Sequence, residues 1–138
     1  MSQFEIKEDR REQRSEETLQ ALTYQLEHVV DEFDMDLMVL ADHQGTVVTA
    51  AGAQHLATII AARCRDIVSA SDRDKVITSI IPDLDPAHVV CEELSLEDLP
   101  LYLCAIMEPD DTARSGFDRA RTGIKRIYDT TSDFLDES

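Results

Sequence analysis

Asp36-Leu37-Met38-Val39-Leu40-Ala41-Asp42-His43-Gln44-Gly45-Thr46-Val47-Val48-Thr49-Ala50 is the stretch whose reading decides the fold. Two apolar runs, Leu37–Ala41 and Thr46–Ala50, flank a polar turn that ends in Gly45. β-rich runs joined by a short loop, with glycine where positive φ is needed, spell a β-hairpin. Leu37–Ala41 has no polar position. A strand with one wet face would show a polar residue at every second place, so this strand is expected to be covered on both faces. The second run is mixed and suits a place near an edge.

Upstream, Leu19, Leu22, Leu26, Val29, Val30 and Phe33 recur at spacings of three and four, with Glu16, Glu17, Gln20, Glu27 and Asp31 opposite. That periodicity predicts a first helix from about Ser15 to Phe33. Residues 1–14 are charged, with Phe4 and Ile6 their only large apolar side chains, and read as a helical extension or a disordered tail.

Downstream, Ala51-Gly52-Ala53-Gln54 breaks the strand, and a second helix is expected from about Gln54 to Ala70. Leu56, Ile59, Ile60, Cys64, Ile67 and Val68 form its stripe, and Ala57, Ala61 and Ala62 give it a small-residue side. After the Ser71–Asp74 turn cluster, Val76–Ile81 is β-branched and reads as a strand. Ala87–Leu94 is the next strand, Ser95–Asp98 turns the chain, and Leu99–Met107 returns it. This last strand is the most apolar on both sides and so belongs in the middle of the sheet. Pro109-Asp110-Asp111 caps a third helix with Ala113, Phe117, Ala120, Ile124, Ile127 and Phe134 on its stripe. Gly116 and Gly123 within it mark either close packing or a soft helix.

The expected fold is α+β in the order α-β-β-α-β-β-β-α: a five-stranded antiparallel sheet sandwiched between the second helix and the first and third helices. Residues 15–134 form one domain, flanked by the charged extension 1–14 and an acidic tail 135–138.

Thirteen basic and twenty-nine acidic residues leave a net charge of −16, which sets the chain against nucleic acid and anionic membrane. No apolar run reaches the ~18 residues needed to span a bilayer. Cys64, Cys91 and Cys104 are odd in number and sit in apolar segments, as reduced core thiols do. A cytoplasmic location is expected.

Catalytic and metal-binding patterns are missing from the sequence. His88 and Cys91 are three apart, which on a strand points them to opposite faces, and no Cys-x-x-Cys pair is present. Nor is there a nucleophile elbow or a glycine-rich phosphate loop. His43, in the hairpin turn, reads as an exposed turn residue. No cofactor, metal or catalytic residue is assigned. What remains are surfaces. The Val76–Ile81 strand is expected at the sheet edge, an open template for another chain, and the second helix has its alanine side. A symmetric dimer in which edge strands pair and second helices cross would place Ala57, Ala61, Val76, Thr78 and Ile80 at the interface.

The segment Leu37–Val48, the alanine-rich second helix and the Leu101–Met107 strand with its following helix resemble the Roadblock/LC7 family. The resemblance covers roughly residues 15–130 and rests on the apolar strand followed by the Asp42-His43-Gln44-Gly45 turn. It implies a non-enzymatic homodimer, with sheets joined through the third strand, that regulates or scaffolds small Ras-like GTPases. Two other classes stay open: a GAF- or PAS-like ligand sensor, which needs an interior cavity, and a small acidic secretion chaperone.

Overall fold

The computed structural model describes residues 3–96 and 99–136, with side chains for 16–94 and 100–130. The end of the acidic tail, Glu137 and Ser138, and the tip of the last turn, Glu97 and Asp98, lie outside the described residues, as do Met1 and Ser2.

Helix α1 spans Gln3–Glu32. It ends in a left-handed cap: Asp34 has φ 52°, and the Met35 N–H donates to the Val30 carbonyl at 3.0 Å. This is the 6→1 bond of a Schellman motif, a site that favours glycine. An aspartate there is strained, and its charge faces the negative end of the helix dipole. Asp34→Gly is therefore expected to stabilise the chain by about 0.5–1 kcal/mol, read as a higher urea midpoint with unchanged slope.

The hairpin follows as β1, Leu37–Asp42, and β2, Val47–Gly52. The Asp42 carboxylate accepts the backbone N–H of Gln44 at 2.9 Å and of Thr46 at 3.0 Å, while the Gly45 N–H donates to the Asp42 carbonyl. Gly45 has φ 83°, and a Cβ on it would stand 3.1 Å from the Ala61 carbonyl oxygen of α2, Gln54–Ser69. The turn thus needs glycine twice, for its backbone conformation and for its seat against the helix. Leu40 faces Thr49 and Ala41 faces Val47, so Val48 is an extra residue that bulges β2.

After α2 come α3, Arg73–Ile80, a short 3-10 turn at Pro86–His88, β3, Val89–Leu96, β4, Leu99–Ile106, and α4, Asp111–Asp136. The sheet is antiparallel with order β2-β1-β4-β3. The period-two pleat divides the core in two. Met38, Leu40, Leu103, Ala105 and Leu94 pack under α1 and α4 with Leu22, Leu26, Val29 and Phe117. Leu37, Val39, Ala41, Cys104 and Ile106 pack under α2 and α3 with Ala57, Ile60, Ala61, Cys64 and Ile77. β1 and β4 are buried on both faces because each lies between two strands and two helix layers.

Gly116 and Gly123 serve close packing. A Cβ at Gly116 would fall 2.5 Å from the ring of Phe33, and one at Gly123 would fall 2.5 Å from the Gln25 side chain. α1 and α4 approach through these two gaps. The Arg119 guanidinium lies 5.2 Å from the Phe33 ring centroid and pairs with Glu32 at 2.8 Å, closing the same seam.

Among the described residues the five-stranded sheet expected from the sequence is corrected to four strands, because residues 75–80 are helical and Ile81 caps that helix. The Asp72 side chain caps α3 by accepting the Lys75 N–H at 3.2 Å, and Asp74 favours the positive end of the helix. Val76, Ile77, Ile80 and Ile81 then fall at helical spacing against the α2-side core, and Pro82 stops the element. Tertiary burial, with Ile77 only 2% exposed, overrides the β-propensity of the run.

Candidate partner interface

β3 closes one end of the sheet, so one row of its backbone groups has no partner strand. Which groups these are follows from the ladder. The Met107 N–H donates to the His88 carbonyl at 2.8 Å, and the register runs without a shift from Val89 opposite Ile106 to Leu96 opposite Leu99. Antiparallel bonds alternate. His88, Val90, Glu92 and Leu94 therefore turn toward β4, while Val89, Cys91, Glu93 and Ser95 turn their N–H and C=O outward. Two observations agree with this parity. The Arg73 guanidinium donates to the Val89 carbonyl at 2.8 Å from outside the sheet. Pro100, which has no N–H to give, stands opposite Ser95, where β3 requires no donor.

The other edge differs. β2 has six residues and a bulge at Val48, a feature that twists an edge away from further pairing. β3 has eight residues in unbroken register. It is also held from behind. Glu92, 30% exposed, accepts Arg114 at 2.6 Å and Arg121 at 2.8 Å, two residues one helical heptad apart on α4. Hydrogen bonding to Glu92 holds the Arg114 guanidinium further above its ordinary range. The clamp fixes the strand to α4; of the outward row, the Val89 carbonyl is taken by Arg73, and the groups of Cys91, Glu93 and Ser95 face away from β4.

Beside this edge, on one side of the sheet, α2 presents His55, Thr58, Ile59, Ala62 and Asp66 to solvent, with Ile59 42% exposed. The residues singled out from the sequence fall elsewhere. Ala57 and Ala61 are buried beneath α2, where their small size lets the helix sit close to β1. Val76 and Ile80 are half-buried on α3 against the same core, and Thr78 is exposed with its hydroxyl donating to the Asp74 carbonyl at 2.8 Å. None of them lies on β3. The sequence does carry a sign of the true edge: the charged pair Glu92-Glu93 interrupts an otherwise apolar strand, as edge strands commonly do.

His43 is exposed at the hairpin turn, and its carbonyl accepts from Arg65 at 3.3 Å. The two residues border a shallow groove of about 230 Å³ with Gln44, Asp66 and Ser69. A second groove of about 440 Å³ runs between α1 and α4 past His28, Arg119 and Arg126. Among the described residues no group of three or more His, Cys, Asp or Glu is arranged to hold a metal ion. Among them, too, no helix is long and apolar enough to cross a membrane. Cys64, Cys91 and Cys104 are unbridged and buried on the α2 side, and burial pushes the Cys64 thiol up to about 11.

No protein-family model matches the sequence, and no curated protein matches it. Among solved structures, the chain is similar to Myxococcus xanthus MglB, with TM-score 0.59 and 13% identity over 82% of this chain and 91% of that one. At that identity the likeness shows a shared fold.

Proposed function

We propose that the chain is a homodimeric regulatory module that acts on a small Ras-like GTPase by contact and contributes no catalysis of its own. The observation that carries this reading is the open, unbulged β3 edge next to the solvent-facing side of α2. Two copies related by a two-fold axis would pair β3 with β3, join the sheets, and lay the two α2 helices side by side over the junction. Ala57 and Ala61 shape that surface from beneath, and Ile59 and Ala62 form it. The shared fold with MglB, together with the resemblance to the Roadblock/LC7 family and what that family implies, supports the choice of partner.

The direct test mixes the purified chain with the small Ras-like GTPase encoded nearest to it, loaded with GTP or GDP. Light scattering then reads the complex, and phosphate release reads hydrolysis. A complex of two copies with GTPase in one nucleotide state, together with a changed hydrolysis rate, is expected. Failure to bind in either state would overturn the partner assignment.

Self-association should respond to salt in a particular direction. Each copy carries −16, so two copies repel. Raising ionic strength from 0.01 to 0.15 M shortens the screening length from roughly 30 to about 8 Å. Dimer affinity is expected to rise across that range, measured by sedimentation equilibrium. A fall would mean that opposite charges across the interface, and not β3 backbone pairing, hold the dimer.

A further inference from the structure

Cys91 of β3 and Cys104 of β4 face each other in register. By the parity above they form a non-hydrogen-bonded pair, the kind in which Cα atoms approach to about 4.5 Å. That spacing falls inside the range of about 4.4–6.8 Å that a disulfide bridges. Both side chains stand on the sheet face under α2. Cys104 is fully buried in the central strand, whereas Cys91, on the open strand, retains 8% exposure. Cys64 approaches from α2 but belongs to no cross-strand pair and is fully buried.

We propose that Cys91 and Cys104 are a reversible dithiol–disulfide site, closed by a hydroperoxide and reopened by a small thiol such as glutathione. The sulfur of Cys91, the residue on the edge strand, attacks the peroxide. The O–O bond breaks, Cys91 becomes a sulfenic acid, and its former thiol proton leaves with the departing hydroxide as water. The Cys104 sulfur then attacks the sulfenic sulfur. The S–S bond forms, the S–O bond breaks, and the Cys104 proton leaves with hydroxide as a second water. Two thiols and one hydrogen peroxide give one disulfide and two waters. Two equivalents of glutathione reverse the bond and leave as oxidised glutathione. The neighbouring Cys91, reinforced by burial, pushes the Cys104 thiol up, so Cys104 stays protonated until the sulfenic acid forms. The sulfurs project from the sheet face, out of the plane of the outward N–H and C=O groups. The bond therefore ties β3 to β4 without consuming the edge, and the proposal does not rest on the dimer.

The test treats the reduced full chain with equimolar hydrogen peroxide, quenches it in denaturant with N-ethylmaleimide, and maps peptides without reductant. The expected result is one intramolecular bond joining the Cys91 and Cys104 peptides, loss of two of the three alkylatable thiols, and recovery of all three with glutathione. Cys64→Ser should form the same bond at the same rate. In Cys104→Ala, the Cys91 sulfenic acid should persist long enough to be trapped by dimedone. If Cys104→Ala fails to fold by circular dichroism, the Cys64→Ser arm decides. A bond to Cys64, a bond between chains, three intact thiols, or Cys91 carried on to sulfinic acid would each overturn the proposal.

Discussion

Glu93→Pro is expected to be monomeric and folded under conditions where the native chain is a dimer. Glu93 is exposed, and its N–H points away from β4, so the substitution removes no bond inside the monomer. In the β3–β3 pairing it removes one donor per copy and sets a ring in the path of the partner strand. Two lost hydrogen bonds plus the clash come to about 3 kcal/mol, or roughly a hundredfold in the dimer dissociation constant. Glu93→Ala should stay dimeric. Glu92→Pro makes the opposite comparison: its N–H faces Leu103, and its carboxylate holds Arg114 and Arg121. That variant should lose fold along with association. Sedimentation velocity and far-UV circular dichroism separate the outcomes. A dimeric Glu93→Pro refutes pairing through β3, and an unfolded one refutes the parity assigned to the strand.

Phe117→Ala should have the largest effect on stability. Phe117 is fully buried where α4 meets the α1-side core, and the Arg114 guanidinium lies 5.2 Å from its ring centroid. Truncating a buried phenylalanine costs about 3–5 kcal/mol through lost burial and the cavity left behind. Whole domains are stable by only about 5–15 kcal/mol. The melting temperature should drop by roughly 10–20 °C for a chain of this size. A drop of a few degrees would mean that α4 does not close the core as described. The dimer should survive in whatever fraction remains folded, because Phe117 lies on the opposite face of the sheet from α2.

The strands buried on both faces could be read from the sequence because burial on two sides leaves no alternation to misinterpret. Leu37–Ala41 and Leu101–Met107 are wholly apolar, and they became the central pair. The Gly45 turn was legible for a similar reason, since one residue type is demanded by its backbone. Residues 75–81 misled because their β-branched side chains satisfy two templates at once. The deciding signal, the Asp72 cap, sat in a cluster that reads equally well as a turn. The expected sheet edge moved with that correction: with residues 75–80 helical, β3 stands at the end of the sheet. The pairing parity that selects Glu93 over Glu92 is not in the sequence at all. It depends on which strand β3 meets and on which residue of β4 faces it.

The sheet order also governs how the chain is made. β1 pairs with β4, and Leu37 meets Ile106 at a sequence separation of 69 residues. Synthesis at 5–20 residues per second takes roughly 3–14 s to cover that distance. Throughout that interval a strand built to be covered on every side has β2 along one flank and nothing along the other. The nascent chain therefore presents its most adhesive segment before its proper neighbour exists, and a second nascent chain offers the same segment at the same moment. Slow translation or crowded polysomes should convert this protein into exchanged or aggregated species, whereas refolding from the complete chain at low concentration should not.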